Sequence, residues 1–208
     1  IAERELHLVD RNPVRTIEKA KEPRGRVRFL SDDERTALLA ACDASQWKPL
    51  RSLVHLAIVT GARRGELTSL QWRNVDLPGR RAFVAETKND EPRVLVLSTA
   101  AVAALEALRP ETVDGSAYVF PHPNGLPEPF YHFDSHWYAA LERAQLRDFR
   151  FHDLRHTTAS YLAQQGKSLL EIADVLGHRT LAMVKRYAHL TVQRKAAVID
   201  AMAAERGL

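Results

Sequence analysis

Apolar residues recur three and four positions apart along most of this chain, which is the spacing of one face of an α-helix. The segment Ser31-Asp32-Asp33-Glu34 has the form of a capping box and predicts where the first helix begins. Gly166 and Gly177 stand where two later helices are expected to end. The pattern predicts helices over residues 31–43, 50–59, 98–108, 131–145, 153–165, 169–176, 181–187 and 192–205, with a short one ending at residue 70.

Two short β-prone runs interrupt the helical pattern in the middle of the chain. The runs 80–87 and 93–97 flank the turn-forming residues Asn89 and Asp90. This arrangement predicts a β-hairpin with Lys88 at its turn. The expected fold class is therefore α+β, mainly α: a helical domain with one small antiparallel β-sheet.

The composition is that of an ordinary globular protein, with 45% hydrophobic and 27% charged residues. The longest aliphatic stretch, Ala100 to Leu105, is far shorter than the ~20 residues needed to cross a bilayer, so we expect no membrane contact. The lone Cys42 allows no internal disulfide and fits a reducing compartment, which predicts a cytoplasmic protein. The chain begins at Ile1 rather than Met, and we expect it to be a fragment of a longer protein.

Basic charge is concentrated near the N-terminus. Residues 11–28 hold seven Lys and Arg against two Asp and Glu, whereas the net charge of the whole chain is only +4. Pro13, Pro23 and Gly25 interrupt any long helix in this segment. We therefore predict that residues 1–28 form a basic linker, because basic linkers bind polyanions by releasing condensed counterions; the alternative is a solvated tail. The DNA contacts expected from this linker are Arg24, Arg26 and Arg28.

Several polar side chains stand where a purely structural helix does not need them. Arg63 and Arg64 follow a helix break near a new helix N-terminus, a position that favours anions. Together with Arg155 they supply guanidinium groups that can stabilise the negative charge of a reacting phosphodiester. Tyr187 becomes a competent nucleophile once its proton is removed, and Lys88 can protonate a leaving oxygen. The set suits phosphoryl transfer without a metal, and no acidic cluster suited to two Mg²⁺ ions is evident.

Two other hypotheses use overlapping residues. Residues 169–187 could form a helix-turn-helix that binds DNA without catalysis, with Gly177 at the turn and Arg179 on the second helix. His152 and His156 have the i, i+4 spacing of a zinc pair. Asp153 stands where the zinc motif has Glu, however, and a third ligand would still be needed.

Taken together, the candidate residues resemble the catalytic domain of the tyrosine recombinase, or phage integrase, family. The resemblance covers residues 29–190 and rests on motifs that occur in the family's order and spacing. These motifs are Thr60-Gly61-Ala62-Arg63-x-x-Glu66-Leu67, the hairpin lysine Lys88, His152-x-x-Arg155-His156-Thr157, Leu176-Gly177-His178 and Arg186-Tyr187.

The resemblance implies a phosphate clamp. Arg63 and Arg155 would hold the scissile phosphate, and His178 would donate a third hydrogen bond. Glu66 is expected to orient Arg63 or to pack within the fold. Arg64 is expected to be solvated or to contact the DNA backbone.

The resemblance also implies how strands are cut and rejoined. Tyr187 would attack the phosphate and form a 3′-phosphotyrosyl link, and Lys88 would protonate the leaving 5′ oxygen. His152 would accept the tyrosine proton or hold the phosphate, while His156 is expected to be structural. Because the link retains the bond energy, no metal, ATP or other cofactor is expected.

The family normally carries an N-terminal helical core-binding domain that completes a clamp around double-stranded DNA. Here we expect only the linker, residues 1–28, before a catalytic domain at 29–190, followed by a C-terminal helix at 191–208 that packs against a neighbouring protomer. The resemblance implies a tetramer on DNA for the full-length protein and a monomer for this fragment. Arg64 and Arg179 are the DNA contacts expected within and beside the motifs.

Overall fold

The computed structural model describes residue 17 and residues 28–84, 92–112, 114–178 and 180–207, with the backbone alone for residues 191–197. Within these ranges the chain forms α-helices, short 3-10 helices and one β-sheet. The α-helices are α1 (Asp32–Asp43), α2 (Leu50–Thr60), α3 (Arg64–Thr68), α4 (Thr99–Glu106), α5 (Asp134–Arg143), α6 (Asp153–Gln164), α7 (Leu169–Leu176) and α8 (Val192–Arg206). The 3-10 helices are Trp72–Asn74, Leu181–Met183 and Lys185–Thr191, and the strands are β1 (Val75–Asp76), β2 (Arg81–Val84) and β3 (Arg93–Val96).

Helix α1 begins as the sequence predicts. The Ser31 hydroxyl accepts a hydrogen bond from the Glu34 backbone N–H at 3.1 Å, and the Glu34 carboxylate accepts one from the Ser31 N–H at 2.9 Å. Helix α5, in contrast, begins at Asp134 and not at residue 131. The Tyr131 N–H donates to the Pro129 carbonyl at 3.0 Å. The backbone therefore forms a turn at this point, and the helix begins after it.

The sheet is antiparallel, with the strand order β1-β2-β3. Phe83 pairs with Val94 and Val84 with Arg93, so the two predicted runs do pair as antiparallel strands. Strand β1 was not predicted, because its two residues are too few to show an alternating pattern. The predicted turn residue Lys88 lies outside the described residues.

The segment that follows α7 differs from the prediction of one continuous helix over 181–187. It consists of two 3-10 helices on either side of Val184. Val184 donates its N–H to the Leu181 carbonyl at 3.1 Å, and Tyr187 donates to the Val184 carbonyl at 2.9 Å. This spacing directs the side chains of both Val184 and Tyr187 into the protein, where they are buried. The segment therefore lacks the recognition helix that a helix-turn-helix requires.

Two hydrophobic clusters fill the interior. The larger one joins α1, α2, α4, α5 and the sheet, and includes Cys42, the pKa of whose thiol is raised to about 12 by burial. The smaller cluster joins α6, α7 and the 3-10 segment, and it contains Tyr187. Helices α2 and α6 are also linked by polar groups, since the Thr158 hydroxyl donates to the Ile58 carbonyl at 2.7 Å. No helix in the described ranges has both the length and the apolar character that a membrane span needs.

Candidate active site

The backbone turns sharply at the end of α2, and this turn determines where Arg63 lies. Gly61 adopts a left-handed backbone with φ of 60°, and a Cβ at this position would lie 2.3 Å from the Leu176 side chain. The chain is then extended at Arg63, which precedes α3. Only glycine allows α2 to end this close to α7, so the glycine of the first motif has a steric role.

Glu66 fixes the orientation of Arg63. The Arg63 side chain donates from Nη1 to Glu66 Oε1 at 2.6 Å, and its backbone N–H donates to Glu66 Oε2 at 2.9 Å. The Glu66 side chain is only 3% exposed, so both contacts form away from water, where they are strong. The expectation that Glu66 orients Arg63 is confirmed.

Arg93 is a site residue that the sequence interpretation missed. Its Nη1 donates to Glu66 Oε2 at 3.1 Å, and its Nη2 donates to the carbonyl oxygens of Thr60 (3.2 Å) and Val175. The side chain is 10% exposed, and burial lowers the pKa of its guanidinium. Arg93 therefore ties strand β3, the end of α2 and the end of α7 together. Arg93 lies on the same face as the buried Leu95, but Arg93-Val94-Leu95-Val96 shows no polar and apolar alternation, so the sequence carries no signal for it.

Arg155 lies on α6 and is 4% exposed. It donates from Nη1 to the Gly61 carbonyl at 2.6 Å, while its Nη2 is buried and has no hydrogen-bond partner among the described residues. Burial, together with the positive charges of Arg63 and Arg93, lowers the pKa of Arg155 to about 9. A buried donor without a partner is costly, and an anion at this point would satisfy it.

His178 follows the left-handed Gly177 that ends α7. Its backbone N–H donates to the Ala173 carbonyl at 2.8 Å, which fixes the position of the residue. Its Nδ1 is buried and has no hydrogen-bond partner within the described ranges. Burial and the charges of Arg155 and Arg63 lower the pKa of the imidazole to about 4, so the ring is neutral near pH 7. A neutral ring donates one hydrogen bond and accepts one.

An open cavity of about 520 Å³ lies between Arg63, His178 and strand β3 of the hairpin. Arg63, Arg93 and His178 all line it, together with residues of β3 and the end of α7. Two arginines and one neutral histidine thus border one space, which suits a ligand of negative charge.

Tyr187 is 1% exposed in the smaller hydrophobic cluster. Burial raises the pKa of its phenol to about 12, while the charges of Arg186 and Arg155 act in the opposite direction. Its hydroxyl is hydrogen-bonded to Nδ1 of His156. The expectation that His156 is merely structural missed this contact.

His152 occupies a different place from the one expected of a partner for Tyr187. It precedes the first residue of α6 and lines a smaller cavity of about 280 Å³ beside Arg64 and Asp134. Its ring meets the His156 ring edge to face, with 5.2 Å between centroids. Burial and the charge of Arg155 lower the pKa of His152. Among the described contacts, the tyrosine hydroxyl is reached by His156 and not by His152.

Arg64, which was expected to be solvated or to contact the DNA backbone, is half-buried and is paired within the protein. Its guanidinium donates to both oxygens of Asp134 at 2.7 Å each, and it lies 4.3 Å from the centroid of the Phe133 ring. Arg28 is also docked on the protein: it donates to Glu34 at 2.9 Å and lies over the Phe149 ring. Arg28, the last residue of the predicted linker 1–28, therefore packs on the folded domain.

The remaining predicted site residues, Lys88, Arg24, Arg26 and Arg179, lie outside the described residues. Within the described part of the chain, no group of three or more His, Cys, Asp or Glu side chains could hold a metal ion. The zinc hypothesis therefore gains no support from the described side chains.

The fold and the site define a tyrosine recombinase catalytic domain. The chain belongs to the phage integrase family, whose family model matches residues 28–194. It is 32% identical to the integrase of Salmonella phage P22 over 91% of this chain and 50% of that protein. It is also 32% identical to a shufflon-specific DNA recombinase of Escherichia coli, over 91% of this chain and 47% of the relative. The chain thus spans about half the length of these curated relatives.

Solved structures agree with this assignment. The catalytic domain of bacteriophage HP1 integrase superposes with a TM-score of 0.67 and 25% identity, covering 84% of this chain and 95% of that one. XerA recombinase superposes with a TM-score of 0.67 and 24% identity over 91% of this chain and 67% of that one, which bears on the fold alone. The predicted fold class is confirmed, and a non-catalytic helix-turn-helix protein is not favoured.

Proposed function

We propose that this chain is the catalytic part of a site-specific DNA recombinase that cuts and rejoins strands through a 3′-phosphotyrosyl intermediate, without metal or ATP. The relatives that carry the names integrase and DNA recombinase support this proposal. The substrate is double-stranded DNA, and the place of action is the cytoplasm, where bacterial and phage DNA lies.

The observation that carries the proposal is that two of the buried nitrogens without a hydrogen-bond partner belong to the predicted motifs. Arg155 Nη2 and His178 Nδ1 have no hydrogen-bond partner among the described residues, although each is shielded from water. Arg63, held by Glu66, lines the same cavity as His178. A phosphodiester oxygen placed between these groups would satisfy both nitrogens and would meet at least two positive charges.

The chemistry assigned to this site balances without a cofactor. The Tyr187 oxygen forms a bond to phosphorus as its proton leaves, and the bond from phosphorus to the 5′ oxygen breaks. The 5′ oxygen takes a proton, for which Lys88 is the proposed donor. Rejoining reverses these steps, with a 5′-hydroxyl as the attacking group. Arg63, Arg155 and His178 stabilise the charge that develops on the phosphate oxygens.

The proposed DNA contacts outside the site are Arg24, Arg26 and Arg179, and the basic segment 11–27 would add affinity without sequence preference. Arg28 and Arg64 are engaged within the protein, so we assign them to its stability first. In the full-length protein we expect a tetramer on DNA, with residues 191–208 at the contact between protomers, and for this chain alone a monomer.

Covalent capture tests the proposal. The chain is incubated with a pool of short random-sequence duplexes, each carrying one nick, and denaturing electrophoresis detects protein joined to DNA. We expect an adduct that survives denaturation and whose DNA, once sequenced, shows a preferred site. Tyr187→Phe removes one oxygen and little volume, so it is the matched control and should form no adduct while remaining folded.

Two results would overturn the proposal. One is an adduct that persists in the Tyr187→Phe chain, since another residue would then be the nucleophile. The other is specific retention of DNA by the native chain with no adduct at any duplex, which is what a non-catalytic binding protein would give.

A further inference from the structure

His156 and Tyr187 meet although they are 31 positions apart in the sequence. His156 projects from α6, and Tyr187 projects from the 3-10 helix Lys185–Thr191 that packs on α6 through the smaller hydrophobic cluster. The two ring centroids lie 6.0 Å apart, and the hydroxyl is hydrogen-bonded to the imidazole Nδ1. Because Tyr187 is 1% exposed, water competes little for this hydrogen bond.

We propose that His156 is the residue that positions the Tyr187 hydroxyl and accepts its proton when the tyrosine attacks DNA. This inference rests on the proposed function and deepens it, since the family resemblance implies that His152 either accepts the tyrosine proton or holds the phosphate. A phenol is a weak nucleophile until a base removes its proton, and the base must lie within hydrogen-bond reach. His156 meets that geometric requirement.

Near pH 7 His156 is in the neutral form that a proton acceptor needs, but its lowered pKa makes it a weak base until an anion binds nearby. Burial, followed by the charge of a protonated His152, lowers the pKa of His156 to about 4, so its ring is neutral near pH 7. The charged groups around it are His152, Arg155 and Arg186, which disfavour a second positive charge, and Asp153, which favours one. For Nδ1 to accept the tyrosine proton, the ring must carry its own proton on Nε2.

The proton transfer balances. The phenolic O–H bond breaks as the bond from the Tyr187 oxygen to phosphorus forms, and the proton moves to His156 Nδ1 to give an imidazolium. The anionic phosphate and the Asp153 carboxylate offset this new charge. In the rejoining step the imidazolium returns the proton to the departing tyrosine oxygen, so His156 ends each cycle neutral.

His152 contacts the His156 ring but has no described contact with the Tyr187 hydroxyl. Its ring faces His156 at 5.2 Å between centroids, and it lines the cavity beside Arg64 and not the one beside Arg63. From this place it can adjust the basicity of His156 or contact the phosphate. His152 is therefore the matched control: a histidine of the same motif that lacks the contact with the tyrosine hydroxyl among the described hydrogen bonds.

The test changes the acidity of the nucleophile. The chain is prepared with native tyrosine or with a ring-fluorinated tyrosine at position 187, whose phenol has a lower pKa and depends less on a base. Adduct formation on nicked duplexes is then timed for the native chain, His156→Ala, His156→Asn and His152→Ala. His156→Asn retains a hydrogen-bond acceptor that is too weak to take the proton, so it separates positioning from proton transfer.

With native tyrosine we expect His156→Ala to lose about 10²–10⁴-fold in rate, the usual contribution of a general base. Fluorination should restore a large part of that rate. His156→Asn should remain slow with native tyrosine and be rescued further than His156→Ala, because it still positions the hydroxyl. Fluorination should restore far less of the loss in His152→Ala than of the loss in His156→Ala, because His152 has no described contact with the tyrosine hydroxyl.

A native rate in His156→Ala, or a loss that fluorination leaves unchanged, would overturn the inference. Thermal unfolding and the ¹⁵N shift of His156 Nδ1, compared between native protein and Tyr187→Phe, check the fold and the hydrogen bond without DNA. An unchanged shift would also count against the inference. If the native chain forms no adduct with either tyrosine, the proposed function is wrong. The assignment of His156 as proton acceptor is then wrong as well, because it rests on that function.

Discussion

Arg63 and Glu66 form a closed pair in which the arginine donates to the glutamate from both its side chain and its backbone. The carboxylate sits at the third position of α3, so its own helix holds it in place. Arg93 donates to the same carboxylate from the hairpin side, at 3.1 Å. One buried acid therefore pairs with two arginines that both line the cavity, and it sets the orientation of Arg63.

Replacing Glu66 with glutamine tests this arrangement. Glu66→Gln leaves Arg63 and Arg93 without their shared negative charge in a buried place. We expect a loss of about 3–5 kcal/mol in the free energy of unfolding, the usual cost of breaking a buried ion pair from one side. Chemical denaturation measures it.

Glu34→Gln is the matched control for that experiment. Glu34 is also the third residue of its helix and part of a capping box, and it also pairs with an arginine, Arg28. Its side chain is 31% exposed, however, and surface pairs contribute at most about 1 kcal/mol. Equal losses in the two variants would contradict the role assigned to burial at Glu66.

Gly61 is predicted to tolerate no side chain. Both Gly61 (φ of 60°) and Gly125 (φ of 70°) have left-handed backbones, so alanine costs about 1–2 kcal/mol at either position. At Gly61 the new Cβ would also meet Leu176 at 2.3 Å, whereas nothing lies within 4 Å at Gly125. We expect Gly61→Ala to lose a further ~1–3 kcal/mol from overpacking. Thermal unfolding of both variants checks this, and a Gly61→Ala protein as stable as Gly125→Ala would contradict it.

The two clamp arginines should matter far more for cleavage than for binding. We expect Arg63→Ala and Arg155→Ala each to slow adduct formation by at least about 10²–10³-fold, the loss typical of one oxyanion donor. DNA affinity should fall much less, because other phosphate contacts remain. Arg109→Ala removes an exposed arginine and serves as the charge-matched control. Parallel losses of binding and cleavage would mean that the arginines only position DNA.

Lys88 remains a prediction from the sequence, and a modified substrate tests it. Lys88→Ala should be severely slowed on ordinary DNA, because an alkoxide leaves slowly without a proton. A bridging 5′ sulfur leaves as a thiolate, whose conjugate acid has a pKa of about 8–9, and needs no donor. We therefore expect rescue of Lys88→Ala on this substrate and no rescue of Arg155→Ala. Absence of rescue for Lys88→Ala would move the proton donor to another residue.

Acid should destabilise the fold through its buried histidines. The pKa of His156 and that of His178 are each lowered to about 4, from an ordinary value of 6.5. Between these values the unfolded chain binds protons that the folded chain does not. The stability contributed by the neutral rings is therefore complete above about pH 6.5 and is lost as the pH falls toward 4.

The dependence of Tm on pH measures this effect. His156→Gln and His178→Gln should each flatten the fall in Tm between about pH 6.5 and pH 4, compared with the native chain. His132→Gln removes an exposed imidazole and controls for the substitution itself. A native Tm that is constant over this range would show that the buried rings do not titrate as described.

The helices and the hairpin were predictable because their signals are local. The capping box at Ser31 and the apolar spacing of α2 and α7 are read within one element, and the structure contains these helices. The role of Glu66 was also predictable, since it lies three residues from Arg63 on one helix. Strand β1 and the 3-10 helices were missed because they are too short to establish a period.

The contacts of Arg93 and His156 could not be predicted, because they depend on how distant elements pack. Arg93 reaches the Val175 carbonyl across 82 positions, and His156 reaches Tyr187 across 31. In the sequence His156 simply follows Arg155, and nothing in the motif indicates a contact with Tyr187. Its partner becomes visible only when the 3-10 helix packs on α6 and turns Tyr187 inward.

The hydrogen bond from Arg155 to the Gly61 carbonyl spans 94 positions and joins the two arginine motifs through the backbone that ends α2. This contact requires that both motifs are present and that the chain between them is folded back on itself. The clamp therefore does not exist in a nascent or partly folded chain, whose basic segments could still adhere to DNA by charge. Under the proposed function, strand cleavage would therefore require the completely folded molecule, whereas adhesion to DNA by charge would not.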